Sequence, residues 1–381
     1  MRVVIAGGGT AGHVYPGLAV GHELRSRGAD VSFLGTEMGV EARLVPDAGF
    51  PFQVVRARPF VRRVSLRAAR APFVALDAVR ECRPRVATAD AVIGMGGYVS
   101  VPAVLAARRE HVPAVLHEQN AVVGLANGAL ARARATRVVA LSFAETRGSW
   151  PRAIRKVVTG NPVRDEILRV PGKREALAKE ARGELGLDEH RRTVLVFGGS
   201  QGALHIDRAA IGACRLLGDR ADLQIVMVTG PAHLEVIRRG LPVGDRSGGV
   251  LSVAGGPDGL IVRLIGYLDR MELGYACADL VVARSGATTV AEISACGLPS
   301  LLIPYPYATR RHQEANARAM QRAGAASLML DAQVSSQSLS DRILSLMDHR
   351  ERLEAMRDRS TAFGKPDAAA RLADLVTEAA S

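Results

Sequence analysis

The first residues with evident chemistry are Gly7, Gly8, Gly9, Thr10, Ala11, Gly12 and His13, which follow a short apolar run. Gly7, Gly9 and Gly12 stand at G-x-G-x-x-G spacing. Glycines there allow a tight turn and close backbone approach, and the following helix offers N–H groups and a positive dipole end to an anion. The pattern predicts a phosphate or diphosphate ligand. It would serve NAD as well, and Glu37 stands where a ribose-binding acid would sit. Similar turns occur at Gly94, Met95, Gly96, Gly97 and Tyr98, and at Gly198, Gly199, Ser200, Gln201 and Gly202. A nicotinamide enzyme needs one such loop. Three predict a site for several phosphates, because open α/β sheets bind ligands beyond the carboxyl ends of their strands.

Other polar residues cluster after apolar runs. His13 opens a helix, where the dipole disfavours imidazolium and leaves a neutral base; a histidine that merely bonds its neighbours would look the same. His117, Glu118, Gln119 and Asn120 follow the run 114–116, facing a ligand or one another. Ala121 excludes a H-E-x-x-H zinc motif, and no D-x-D pair occurs. The sequence therefore predicts no metal, and a leaving diphosphate held by backbone dipoles and cationic side chains. Arg284, Ser285, Gly286, Ala287, Thr288, Thr289, Val290, Ala291 and Glu292 form the densest signal of the second half. Ser, Gly and Thr open a helix there. Glu292 suits a ribose, which a carboxylate grips through two hydroxyls, or it merely steadies a helix start. His312, Gln313 and Asn316 follow a Pro304-Tyr305-Pro306 loop and are placed to meet sugar hydroxyls.

These residues must be positioned by buried strands alternating with helices. Strands are expected at 2–6, 30–34, 52–56, 91–94, 114–117, 137–140 and 156–159. A second set is expected at 193–197, 223–229, 261–265, 280–283, 300–303 and 326–330. The charged stretch 165–192 separates them. The reading is α/β: two doubly wound, Rossmann-like parallel-sheet domains with a ligand cleft between them, at 1–164 and 165–350. Residues 351–381 are expected to be helical and to pack back on the first domain.

The 381 residues suffice for two cores, and net charge is +12, which favours an anionic partner. Aromatics are only 4%, against single-strand nucleic-acid binding. The four cysteines lack metal or redox spacing. No signal peptide and no spanning helix is expected, so membrane contact would be peripheral. From Arg56 to Arg85 there are nine arginines against Asp77 and Glu81, with apolar residues between them. That suits an anionic bilayer, or an ordinary solvated helix.

Taken together, residues 8–16 (GGTAGHVYP), 94–100 (GMGGYVS), 117–120 (HEQN), 160–164 (GNPVR), 198–203 (GGSQGA), 284–292 (RSGATTVAE) and 312–316 resemble, in order, the MurG family of peptidoglycan N-acetylglucosaminyltransferases. The resemblance implies a GT-B fold. It implies inverting transfer of N-acetylglucosamine from UDP-GlcNAc, a co-substrate with no separate cofactor, to the muramyl 4-hydroxyl of lipid I. It further implies the cytoplasmic face of the cell membrane, a role in cell-wall biogenesis and division, and cell-wall synthesis proteins as partners. Thr10, Ala11, Gly12 and Asn120 match the donor-sugar side. Arg164 and Ser200 match the nucleotide and diphosphate, and Leu268 a backbone contact to uracil. Ala287, Thr288, Thr289, Val290, Ala291 and Glu292 match the donor loop, with Glu292 on the ribose; Gln313 and Asn316 match GlcNAc contacts. His13 or Glu118 would be the base. Gly8, Gly9, Gly96, Gly97 and Tyr98 would hold the acceptor diphosphate. Ala11 replaces a frequent glycine and Thr288 a frequent leucine, and neither removes a functional group. The rival readings are a glycolipid synthase or antibiotic-modifying glycosyltransferase of similar fold, a nicotinamide oxidoreductase, from the G-x-G-x-x-G spacing and Glu37, and a non-catalytic basic scaffold.

Overall fold

The computed structural model describes residues 1–57, 71–199, 202–239, 250–252 and 259–381, with the backbone alone for 71–75 and 250–252. The expected basic patch lies largely outside them, at 58–70, as does Ser200. The chain forms two compact units, Met1–Arg164 with Lys365–Ser381, and Asp165–Gly364.

In the first unit the elements are β1 (Arg2–Ala6), α1 (Ala11–Ser26), β2 (Asp30–Gly35), α2 (Glu41–Asp47), β3 (Phe52–Val54), α3 (Ala71–Val86), β4 (Ala91–Gly94), α4 (Gly97–Arg109), β5 (Ala114–Glu118), α5 (Leu125–Arg132), β6 (Val138–Leu141) and β7 (Arg155–Val158). The strands run parallel in the order β3-β2-β1-β4-β5-β6-β7. Ala6 is level with Leu34 and Gly94, and Gly94 with Leu116. The first glycine turn, the Thr36 turn, the Gly96 turn and the His117-Glu118 pair therefore leave the sheet at one edge. Val3, Val4 and Ile5 are all buried, as expected for strands covered on both faces.

The second unit contains α6 (Asp165–Leu168), α7 (Val170–Leu185), β8 (Arg192–Phe197), α8 (Leu204–Leu216), β9 (Leu223–Val228), α9 (Pro231–Arg239), β10 (Val250–Ser252), β11 (Ile261–Ile265), α10 (Met271–Cys277), β12 (Leu280–Ala283), α11 (Ala287–Ala295), β13 (Ser300–Leu302), α12 (His312–Arg322), β14 (Ala326–Leu328), α13 (Ser336–Met347) and α14 (Arg350–Phe363). The sheet order is β10-β11-β9-β8-β12-β13-β14. It is parallel except for β10, a three-residue edge strand antiparallel to β11. So short a strand, with one neighbour, carries no periodic signal, and the sequence reading missed it.

The expected terminal segment 351–381 is divided. Leu353 and Met356 of α14 enter the second unit's core. The chain then passes Gly364, where a side chain would approach the Ser294 carbonyl within 2.7 Å. The last helix, α15 (Ala368–Ala380), belongs to the first unit. Its Leu372, Ala373, Leu375 and Val376 join Val3, Ile5, Val115 and Ala140 in one core, and Arg27 pairs with Asp374 at 2.6 Å.

Candidate active site

In the first unit the turn 7–10 is pinned from beneath by a residue the sequence did not single out. Glu41 is fully buried at the start of α2. Its Oε2 accepts the Gly9 N–H at 3.0 Å, and its Oε1 accepts the Thr36 N–H at 3.1 Å and the Thr36 hydroxyl at 2.7 Å. A β-carbon on Gly8 would stand 2.2 Å from the carboxylate. Of the two residues expected at the acceptor diphosphate, Gly8 and Gly9, the second therefore already donates its N–H to Glu41. Glu37, in contrast, is exposed.

His13 lies in the first turn of α1, half-buried, with Nδ1 3.0 Å from the Thr10 hydroxyl oxygen. Its ring lies against the Gly96 turn, where a β-carbon on Gly96 would meet Cδ2 at 3.1 Å and Nε2 at 3.2 Å. A β-carbon on Gly97 would meet the Gly8 carbonyl at 2.8 Å, and one on Gly9 the Tyr98 ring at 3.0 Å. Gly96 and Gly97 have φ of 93° and 74°, which L side chains rarely adopt. Gly8, Gly9, His13, Gly96, Gly97 and Tyr98 are thus in contact, although they come from two motifs. Thr10 is exposed and Ala11 and Gly12 are half-buried beside them.

The His117–Asn120 tetrad is mostly buried. His117 is fully buried, with Nε2 3.0 Å from the Gly160 carbonyl, so this nitrogen carries the proton and donates. Burial lowers its pKa to about 4 and keeps it neutral. Glu118 is 2% exposed. Its Oε1 accepts the Asn120 N–H at 3.1 Å; its Oε2 accepts the Gly124 N–H at 2.8 Å and the Asn127 amide at 2.9 Å. Burial raises its pKa while these donors pull it down. The Asn120 side chain bonds to it as well, so the carboxylate ties Asn120, Gly124 and Asn127 into one loop. Gln119 donates to the Met95 carbonyl at 3.3 Å, tying this loop to the Gly96 turn. Arg164 stacks on Tyr15 of α1, 4.3 Å from the ring centroid.

In the second unit, β12 feeds the turn that opens α11. Ser285 donates to the Gln313 carbonyl at 2.8 Å, and Asn316 donates to the Ser285 carbonyl at 3.1 Å. Asn316, expected at the sugar, is fully buried and braces the turn. Gln313 is half-buried, and its Oε1 accepts the Tyr305 N–H at 2.9 Å. This leaves the amide NH2 as the group it can present. Arg284 is 8% exposed and donates to the carbonyls of Ile303 and Pro304 and to Asp331 Oδ1 at 2.5 Å. It holds the loop rather than a phosphate. α11 has no acid in its first turn. Glu292 is 6% exposed and accepts the Tyr275 hydroxyl at 2.9 Å. Leu268 packs on α10, where a β-carbon on Gly274 would touch it at 3.0 Å. Among the described residues no His, Cys, Asp and Glu cluster forms a metal site.

Residues 3–139 match the Glycosyltransferase family 28 N-terminal domain, and residues 193–372 the Glycosyltransferase family 28 C-terminal domain. A Halothermothrix orenii protein named UDP-N-acetylglucosamine--N-acetylmuramyl-(pentapeptide) pyrophosphoryl-undecaprenol N-acetylglucosamine transferase is 39% identical, over 100% of this chain and 99% of that protein. The chain belongs to glycosyltransferase family 28. A Bacillus subtilis protein of the same name is 36% identical over 99% of both chains. The structure of MurG from Acinetobacter baumannii aligns with a TM-score of 0.75 at 29% identity, covering 99% of each chain. A UDP-GlcNAc 2-epimerase from Neisseria meningitidis shares the fold alone, with a TM-score of 0.68 at 15% identity. The architecture is the GT-B type of this glycosyltransferase family.

Against the family-28 motifs, the residues missed by sequence reasoning are Glu41, Asn127, Tyr275 and Asp331. None lies inside a glycine turn. Most of their partners are distant in the chain: Glu41 serves Gly9, and Asp331 serves Arg284, while Asn127 serves Glu118 nine positions away. The one local clue was an acid, Glu41, just beyond Gly39, a glycine with no room for a side chain beside that carboxylate.

Proposed function

We propose that the chain transfers N-acetylglucosamine from UDP-GlcNAc to the muramyl 4-hydroxyl of a lipid-linked muramyl-pentapeptide diphosphate, with inversion, releasing UDP. The observation that carries this reading is end-to-end identity of 36–40% to relatives named for that transfer. The muramyl oxygen attacks the anomeric carbon, the bond from that carbon to the β-phosphate oxygen breaks, and the hydroxyl proton passes to His13. For this His13 Nε2 must be the acceptor, so Nδ1 carries a proton and donates to the Thr10 hydroxyl. Glu118 positions the Asn120 loop and does not act as base.

The UDP diphosphate is assigned to the start of α11, residues 287–291, where the positive end of the helix dipole favours an anion. Glu292 takes the ribose, Leu268 the uracil through its backbone, and Gln313 the sugar. The acceptor diphosphate is assigned to Gly96, Gly97 and Tyr98 at the start of α4, which has no acid in its first turn. No helix of the described residues is long and apolar enough to cross a membrane. A lipid-anchored acceptor places the enzyme at the cytoplasmic membrane surface, with residues 56–85 as the basic contact and cell-wall synthesis proteins as neighbours.

The test is purified protein with radiolabelled UDP-GlcNAc, a lipid I analogue and EDTA. Labelled lipid product is expected. Absence of both product and UDP-GlcNAc binding would overturn the reading.

A further inference from the structure

The inference concerns a buried phenol and rests on the reading of Glu292 as the ribose acid. Tyr275 lies in α10, and none of its surface is exposed. Its hydroxyl donates to Glu292 Oε2 at 2.9 Å, across from α10 to α11. Its ring meets Phe197, the last residue of β8, edge-on at 6.1 Å between centroids. The phenol is therefore fixed on both sides and has no freedom to leave the carboxylate. Burial also means that Tyr275 cannot touch a nucleotide itself.

The chemistry of the pair is specific. A carboxylate has about four acceptor positions on two oxygens. One phenol O–H uses one of them and fixes the rotation of the carboxylate plane. A cis-diol such as the ribose 2′- and 3′-hydroxyls needs two acceptors held in one plane. Tyr275 is also one residue from Gly274, on which Leu268 packs. The same short helix thus carries the support for the segment assigned to the base and for the acid assigned to the sugar of the nucleoside.

We infer that Tyr275 is a positioning residue for the nucleotide: its hydroxyl orients Glu292 to accept both ribose hydroxyls, and so sets the preference for a ribonucleoside diphosphate donor. The binding contribution is uniform in the ground and transition states, because the ribose is remote from the bond that breaks. Its loss appears in KM and leaves kcat in place.

The experiment compares kcat/KM for UDP-GlcNAc and for its 2′,3′-dideoxyuridine analogue in wild type, Tyr275→Phe, Glu292→Gln and the double variant. Each ratio is taken within one preparation, so a loss of active fraction cancels. Wild type is expected to prefer the ribonucleotide by roughly 30-fold, in keeping with hydrogen bonds to a charged group. In Tyr275→Phe the preference falls to about fivefold, with KM for UDP-GlcNAc raised and kcat within about twofold. In Glu292→Gln it falls to about twofold, and adding Tyr275→Phe changes nothing further, because the two act as one unit. A Tyr275→Phe enzyme that keeps the wild-type preference overturns the inference while leaving Glu292 as the ribose acid. A wild type with no preference at all overturns the assignment of Glu292 itself.

Discussion

Two helices of the second unit begin after a glycine turn that follows a central strand, α8 after β8 and α11 after β12, yet they differ beneath the turn. α8 carries Asp207 in its first turn, 1% exposed and 3.3 Å from His233 Nδ1. Burial raises the Asp207 pKa to about 6, against the lowering pull of His233 and, less, of the Ala203 N–H. The start of α8 therefore already holds an acid of the protein's own. α11 has no such acid. The first unit repeats the contrast, with Glu41 beneath the turn 7–10 and no acid in the first turn of α4. A strand, glycine and helix in succession thus make an anion site only where the protein has not supplied its own anion. By that measure α11 and α4 are suited to phosphates, and the His13 region to moving a proton from a neutral hydroxyl.

The largest expected effect breaks this division at its chemical end. His13→Ala should lower kcat by about 10²–10⁴-fold, while UDP binding measured by calorimetry stays within about twofold. Equal losses in both would mean that His13 supports nucleotide binding and not proton transfer.

The next effect is on stability and concerns His117, which the division treats as scaffold. Its pKa is about 4, below the ordinary 6.5. The unfolded chain therefore takes up the proton first as pH falls. Stability is full above about pH 6.5 and declines to pH 4, by about 3 kcal/mol in total. His117→Gln keeps a donor for the Gly160 carbonyl and should flatten this decline in urea titrations at pH 7 and pH 4.5. An unchanged slope would show that another group drives it.

Smaller effects sharpen the comparison of the two helix starts. Thr288→Glu, in the first turn of α11, should weaken UDP binding by roughly 30-fold, about 2 kcal/mol. Leu204→Glu, at the start of α8, should weaken it by less than about fivefold. Each substitution interacts favourably with its helix dipole by about 0.3–1 kcal/mol, against which Leu204→Glu gives up a partly buried side chain's packing on the second unit's core. Equal effects of the two would return the diphosphate to the Gly198–Gly202 turn.

Much of this was legible in the chain itself. The apolar strands of both sheets are found almost where their β-branched runs placed them, because a strand buried on both faces has to be apolar throughout. Gly96 and Gly97 announced a turn that only glycine tolerates, and the structure gives both positive φ. The motifs also drew attention to polar residues at strand ends. What they did not distinguish was direction. Glu118 and Glu292 look alike in sequence, each an acid near a strand or helix terminus. One is enclosed by N–H donors from Asn120, Gly124 and Asn127; the other accepts a tyrosine hydroxyl.

The sequence by itself determined the periodicity of the elements, the glycine turns and the types of residue available for chemistry, because these depend on local sterics and on side-chain identity. The tertiary structure decided which of those residues keep their polar atoms for a ligand. Glu41 reaches Gly9 across 32 positions, Tyr275 reaches Glu292 across 17 and Asp331 reaches Arg284 across 47. Such pairings are set by which helix packs beside which strand. A buried polar group must find a partner wherever the fold supplies one.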